Sequence, residues 1–176
     1  WGSSFLPADY QGTAIGNAGI ASDLAKIPFI ENADHLDLNL QRQELDFAQA
    51  LNRGMLERTG PDSMLEARIN SYELAYRLQT AAPELQDVSD ESAATHALYG
   101  LDNPVTRNFG RQCLMARRFA ERGVRFIQIQ HGGGGAGAWD AHSGLKANHE
   151  GLARAVDQPI GGLLTELQRV LVNVAE

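Results

Sequence analysis

The chain has 176 residues, 43% hydrophobic and 21% charged, and carries a net charge of −7. That is enough for one domain with a core, in the composition range of globular proteins. The acidic balance, with no basic stretch or aromatic stacking platform, argues against nucleic-acid binding, since phosphate backbones attract basic surfaces. The single cysteine, Cys113, rules out an internal disulfide and says nothing about redox compartment. No apolar run is long enough to span a bilayer. The opening Trp1-Gly2-Ser3-Ser4-Phe5 has neither the basic segment nor the apolar region of a signal peptide. It also lacks an initiator Met, and Val172 to Glu176 still reads as helix. The expectation is therefore an internal fragment of a longer protein.

Residues 1 to about 35 show little periodicity and carry Gly, Asn, Pro and Ser. They read as an irregular segment lying over something else. Four helical stretches follow. The first covers roughly 41–58, with Phe47, Leu51 and Met55 at i, i+4, i+8, and breaks at Gly60-Pro61-Asp62. The second covers roughly 62–81, with Leu65, Ile69, Tyr72 and Tyr76 on one face, and ends at Pro83. A short third runs from Asp90 to Leu98, capped by Ser89 and closed by Gly100. The fourth covers roughly 104–122, with Asn103 as N-cap and Pro104 at its first position. Phe109, Cys113, Ala116 and Ala120 form its apolar face, and Gly123 stops it.

Val124 to Gln130 is β-branched and aromatic and reads as a buried strand. Gly132 to Gly135 ends it. A last helix begins near Leu145 and runs to about 172, with a break or kink at Pro159. Val156, Ile160, Leu163, Leu167 and Val170 line one stripe of it. A single strand cannot satisfy its own backbone groups, so one βα step of a larger sheet is expected. The division is 1–40 irregular, 41–122 a helical insertion, and 123–176 strand, glycine loop and core helix.

Loops after strand ends are where α/β proteins place their chemistry, and here that loop carries Trp139-Asp140-Ala141-His142-Ser143. Asp140 and His142 are metal-ligand types and also a general acid/base pair. Residues two apart share a face when extended. The competing reading is a helix-capping Asp and a solvated His, and spacing alone favours it. His149, two helical turns beyond His142, is either a further ligand or an exposed helix histidine. Asp157 reads as an N-cap for the segment beginning Gln158-Pro159. His131 either faces the site or bonds the glycine loop. The glycines lack the Lys-Ser/Thr of a phosphate loop. Trp139 reads as an anchor for the loop's exit. Arg117, Arg118, Arg122 and Arg125 read as pairing with acidic neighbours or favouring a helix C-terminus. Cys113 reads as an inert core residue.

Several runs together resemble a bacterial family. They are Phe5 to Gly12, Leu65 to Ala75, Leu98-Tyr99-Gly100, Cys113 to Arg118, Gly123 to Phe126, Trp139 to Ser143, Asn148-His149 and Asp157 to Ile160. The family is the one catalogued as domain of unknown function 1501, abundant in planctomycetes and related bacteria, and the resemblance spans nearly the whole chain. It is similar to the alkaline phosphatase and sulfatase superfamily. The resemblance implies an α/β sandwich around a mostly parallel sheet, of which this chain supplies a largely helical portion with one core strand at 124–130. It further implies a hydrolase of phosphoric or sulfuric esters, small-molecule or polysaccharide, using zinc or calcium/magnesium. Asp140 and His142 match the family's W-D-x-H motif and would be metal ligands, with His149 a third. The nucleophile and the remaining ligands would lie before Trp1 and beyond Glu176. The tail Leu167 to Leu171 departs from the family's Gly-Leu-Leu-Asp turn. Export, often by a twin-arginine signal, implies a periplasmic or extracytoplasmic location. The alternative is a non-catalytic partner-binding protein whose working part is the helical region 41–122. On either reading the isolated chain is expected to be catalytically inactive and poorly soluble.

Overall fold

The computed structural model describes residues 12–16, 20–27, 37–132 and 139–174. Among these residues are five helices: α1 (Leu38–Thr59), α2 (Ser63–Gln86), α3 (Ala93–Tyr99), α4 (Arg107–Glu121) and α5 (Leu145–Val174). Among the described residues there is no strand and no sheet. This corrects the expected α/β class with a core strand at 124–130. That segment alternates as a strand would, with Ile127 and Ile129 partly covered and Phe126 82% exposed. A strand is defined by ladder hydrogen bonds to a neighbour, and no described segment offers them. The β-type side-chain pattern is present, and the pairing that would make it a sheet is not.

The chain divides into two compact units. The first contains α1 and α2 up to Glu84. Asp37 caps α1 by accepting the Leu40 N–H at 2.7 Å, and Asp62 caps α2 through the Met64 N–H at 2.9 Å. The helices form an antiparallel hairpin, because Arg42 meets Glu73 while Gln49 reaches back to Ile69. Arg42 donates to both Glu73 oxygens at 3.1 Å, and its guanidinium lies 4.8 Å from the Tyr76 ring centroid. Gln49 is buried and donates to the Ile69 carbonyl at 2.9 Å. The apolar stripe that gave α1 its helical spacing points outward: Phe47 is 67% exposed, and Leu51 and Met55 are also exposed. The hairpin seam takes the polar Arg42 and Gln49 because they have partners across it. On α2, Leu65, Ile69 and Tyr76 are partly covered, as expected, and Tyr72 is exposed. Pro83 sits inside α2 rather than ending it.

The second unit contains α3, α4 and α5, which pack on one another, and Ser22 and Ala25 of the N-terminal segment bond to it. Asn108 Oδ1 accepts the Ser22 N–H at 2.6 Å, and Gln86 Nε2 donates to the Ala25 carbonyl at 3.1 Å. The irregular N-terminal segment thus lies over other structure at these residues. The core is Val88, Tyr99, Leu101, Phe109, Cys113, Leu114 and Met115, with Leu98, Phe119, Ile129, Val156 and Leu163 packed against it. Cys113 is an inert core residue as expected: burial pushes its thiol up to about 12.

Boundaries shift where caps compete. Ser92, not Ser89, caps α3 by accepting the Thr95 N–H at 3.1 Å. Gly100 closes α3 in the left-handed region at φ 67°, a conformation glycine adopts without strain. Asn103 and Pro104 lie in the following turn, where Asn103 Oδ1 accepts the Val105 N–H at 3.0 Å, and α4 starts after Thr106. The buried Thr106 hydroxyl donates to the Gly100 carbonyl at 2.6 Å, tying α4 to the end of α3.

Helix α5 runs unbroken through Pro159, which is fully buried. Asp157 is therefore a mid-helix residue and not an N-cap. The proline removes one backbone donor, which leaves the Ala155 carbonyl without its helical partner. Burial of its ring in the helix contact offsets that loss. Val156, Leu163 and Leu167 lie on the covered side as expected, whereas Ile160 is exposed. The Val170 side chain falls outside the described residues.

Two of the four clustered arginines build the polar side of this unit. Arg117 meets Glu91, Glu121 and Glu166, the last at 3.1 Å, while Arg118 meets Asp90 and Glu91, both at 2.7 Å. The Tyr99 hydroxyl donates to Glu166 at 2.9 Å. Acidic partners are thus confirmed for Arg117 and Arg118. Arg122 and Arg125 are exposed.

Candidate functional site

The loop leading into α5 is positioned by an aromatic ladder that starts in the core. Phe109 on α4 meets the His131 ring edge-on, with centroids 5.0 Å apart. His131 meets Trp139 at 5.8 Å, and Trp139 meets His149 on α5 at 6.0 Å, both edge-on. Trp139 Nε1 donates to His131 Nδ1 at 3.3 Å. Trp139 is thus the anchor the sequence suggested. His131 faces the loop and bonds the indole. Most of the glycine run, from Gly133 on, lies outside the described residues.

The bond fixes the chemistry of His131. Its Nδ1 accepts, so the ring is neutral with its proton on Nε2. Burial holds the ring's pKa below its ordinary value of 6.5. The neutral form is therefore favoured by the native state, so this contribution is complete above pH 6.5 and is lost as pH falls through the lower folded value. We expect the thermal midpoint to rise with pH through the range just below 6.5. The slope should be shallower in His131→Phe, which keeps the ring contacts and loses the titration. Identical slopes in the two proteins would contradict this.

Beyond Trp139, Asp140 and His142 come together. Asp140 Oδ2 and His142 Nε2 are 3.2 Å apart, with side chains 79% and 82% exposed. Donation from Nε2 leaves Nδ1 as the lone-pair nitrogen of a neutral His142, and Asp140 Oδ1 is a second carboxylate acceptor. His149 Nδ1 bonds the Leu145 carbonyl at 2.9 Å, one helical turn back. Nδ1 must be the donor there, which leaves Nε2 as the lone-pair nitrogen. A backbone carbonyl holding one ring nitrogen is the usual support of a metal-ligating histidine. Carboxylate and imidazole donors suit zinc and similar divalent cations.

All three residues are of side-chain types that ligate divalent cations. The structure pairs Asp140 with His142 and sets His149 against Trp139. Among the described residues, no group of three or more His, Cys, Asp or Glu side chains is arranged to hold one ion.

Beside this loop is an open groove of about 330 Å³, lined by Trp139, Ala153, Arg154, Val156, Asp157 and Ile160. Sequence reasoning missed it. Ala153, Asp157 and Ile160 recur at i, i+4, i+7 and share a face once α5 is continuous. The expected break at Pro159 concealed that face.

No described helix is long and apolar enough to cross a membrane. The sequence model of a family described as protein of unknown function (DUF1501) matches residues 1–173. No curated protein and no solved structure matches the chain. With nearly its whole length matched, the chain belongs to the DUF1501 family.

Proposed function

We propose that this DUF1501 member contributes Asp140, His142 and His149 to the divalent-metal site of an exported hydrolase of phosphoric or sulfuric esters. The observation that carries the reading is the meeting of Asp140 and His142 at 3.2 Å on an exposed loop anchored by Trp139. The Leu145 carbonyl supports it by holding the His149 ring with Nε2 available. Asp140 brings negative charge and orients His142, and Trp139 holds the backbone between the glycines and α5. A bound divalent cation supplies polarisation of the ester oxygen and stabilises charge on the leaving group. A catalytic zinc commonly has three protein ligands and an open position, so further donors and the nucleophile come from outside the described residues.

A chromogenic phosphate or sulfate ester, assayed with added zinc, magnesium or calcium, tests the reaction. The protein should turn over at least one ester in a metal-dependent way. Turnover should disappear in Asp140→Ala/His142→Ala. Undiminished turnover in that variant would overturn the assignment.

A second reading has an observation of its own. The exposed stripe of Phe47, Leu51 and Met55 on α1 is the kind of apolar surface that marks partner binding. There the region 41–122 does the work and the loop has no chemistry. Metal-dependent turnover abolished by the Asp140/His142 pair of substitutions would decide against it.

A further inference from the structure

We propose that the groove between Trp139 and α5 is a subsite for a sugar ring bearing an anionic ester, which makes the substrate an esterified saccharide. The reaction rests on the function proposed above, and the ligand rests on separate observations. The indole is fixed in advance by edge contacts to His131 and His149 and by its N–H bond to His131. It is nonetheless 42% exposed. A platform already ordered costs a ligand little to use. Ala153, Val156 and Ile160 complete an apolar wall.

Two charges of opposite sign border that wall. Arg154 and Asp157 are exposed, and among the described residues neither has a hydrogen-bond or ion-pair partner. Their i, i+3 spacing would let them pair with each other, and they do not. A purely apolar ligand would leave both charges unused. A small inorganic anion would use Arg154, leave the indole idle and be repelled by Asp157.

A sugar ring uses all three. Its positively polarised C–H face suits the negative face of the indole. Its hydroxyls donate to the Asp157 carboxylate, and a sulfate or phosphate substituent takes the planar fork of Arg154. Trp139 immediately precedes Asp140, and three Cα steps, about 11 Å of extended chain, is the most that separates it from His142. A ring seated on the indole therefore lies within a short span of chain from the candidate metal ligands.

Calorimetric titration of the intact gene product in EDTA tests the subsite apart from the metal. The probes are a chondroitin sulfate tetrasaccharide, its desulfated counterpart, and inorganic sulfate. The sulfated tetrasaccharide should bind. Arg154→Ala should weaken it by on the order of tenfold or more, the loss expected for a charge-assisted bond, with little effect on the desulfated sugar. Asp157→Asn should weaken both sugars. Both side chains are exposed and unpartnered on α5, so the variants should keep the parent's thermal midpoint. The proposal is overturned if neither sugar binds, if both variants bind like the parent, or if sulfate alone binds as well as the tetrasaccharide. Sugar binding without metal-dependent turnover would overturn only the reaction. Turnover without sugar binding would overturn only the subsite.

Discussion

Alanine at Gly110 should destabilise the protein by about 3 kcal/mol or more, the upper end for overpacking a tight contact. A Cβ at this position would lie 2.2 Å from the Tyr99 carbonyl oxygen and 3.2 Å from Leu101 Cδ2. The nearest obstacle is backbone held at the end of α3, which cannot swing aside as a side chain would. A neighbouring pair of glycines supplies the control. At Gly162 a Cβ would lie 2.9 Å from the Leu98 carbonyl oxygen, whereas at Gly161 nothing lies within 4 Å. Gly162→Ala should therefore destabilise, by less than Gly110→Ala. Gly161→Ala should stabilise by about 0.5–1 kcal/mol, the helix propensity gained without a clash. Urea midpoints of the three variants check the order. A Gly110 variant as stable as the parent would contradict the close approach of α4 to α3.

Removing Arg117 should be the next largest effect. Its side chain is 12% exposed, and it faces Glu91 at 13% and Glu166 at 18%. Taking one partner from a buried ion pair strands the other charge and commonly costs 3–5 kcal/mol. Here Glu91 keeps Arg118 at 2.7 Å and Glu166 keeps the Tyr99 hydroxyl at 2.9 Å. The low end applies, about 3 kcal/mol for Arg117→Ala, lowering the thermal midpoint by roughly 6–12 °C. Arg125→Ala, on an exposed residue of the same sequence cluster, should change stability by less than about 0.5 kcal/mol. Equal effects at the two positions would show that the network does not hold this unit.

That contrast marks how far sequence could be read. The local signals were legible: the helices lie where periodicity and punctuation placed them, and Gly100 and Gly123 close theirs as expected. Which arginines pair was not legible, because Arg117 meets Glu166 across 49 positions of chain. The prolines misled for a related reason. Pro83 and Pro159 weaken a helix locally, and at Pro159 full burial of the ring outweighs the lost hydrogen bond. On α1 the apolar stripe of Phe47, Leu51 and Met55 is exposed, and the hairpin instead buries Gln49, whose amide finds the Ile69 carbonyl. At 124–130 the alternating side-chain pattern is present without a strand, since a strand depends on a partner as well as on its own residues.

At the candidate site, the D-x-H spacing allowed Asp140 and His142 to share a face but by itself favoured a helix cap and a solvated histidine; their meeting is seen only in the structure. The role of His131 and the groove along α5 likewise depend on residues brought together by folding. The aromatic ladder joins Phe109 in the core to His149 through two intervening rings. It holds the Asp140–His142 loop against the packed helices.

The proposed role of Asp140 and His142 as ligands of a divalent cation is read out by metal content. The intact gene product, equilibrated with zinc and dialysed, should retain bound metal. The Asp140→Ala/His142→Ala variant, folded by circular dichroism, should retain essentially none. Unchanged metal content in that variant would contradict the claim and leave the loop without the chemistry assigned to it.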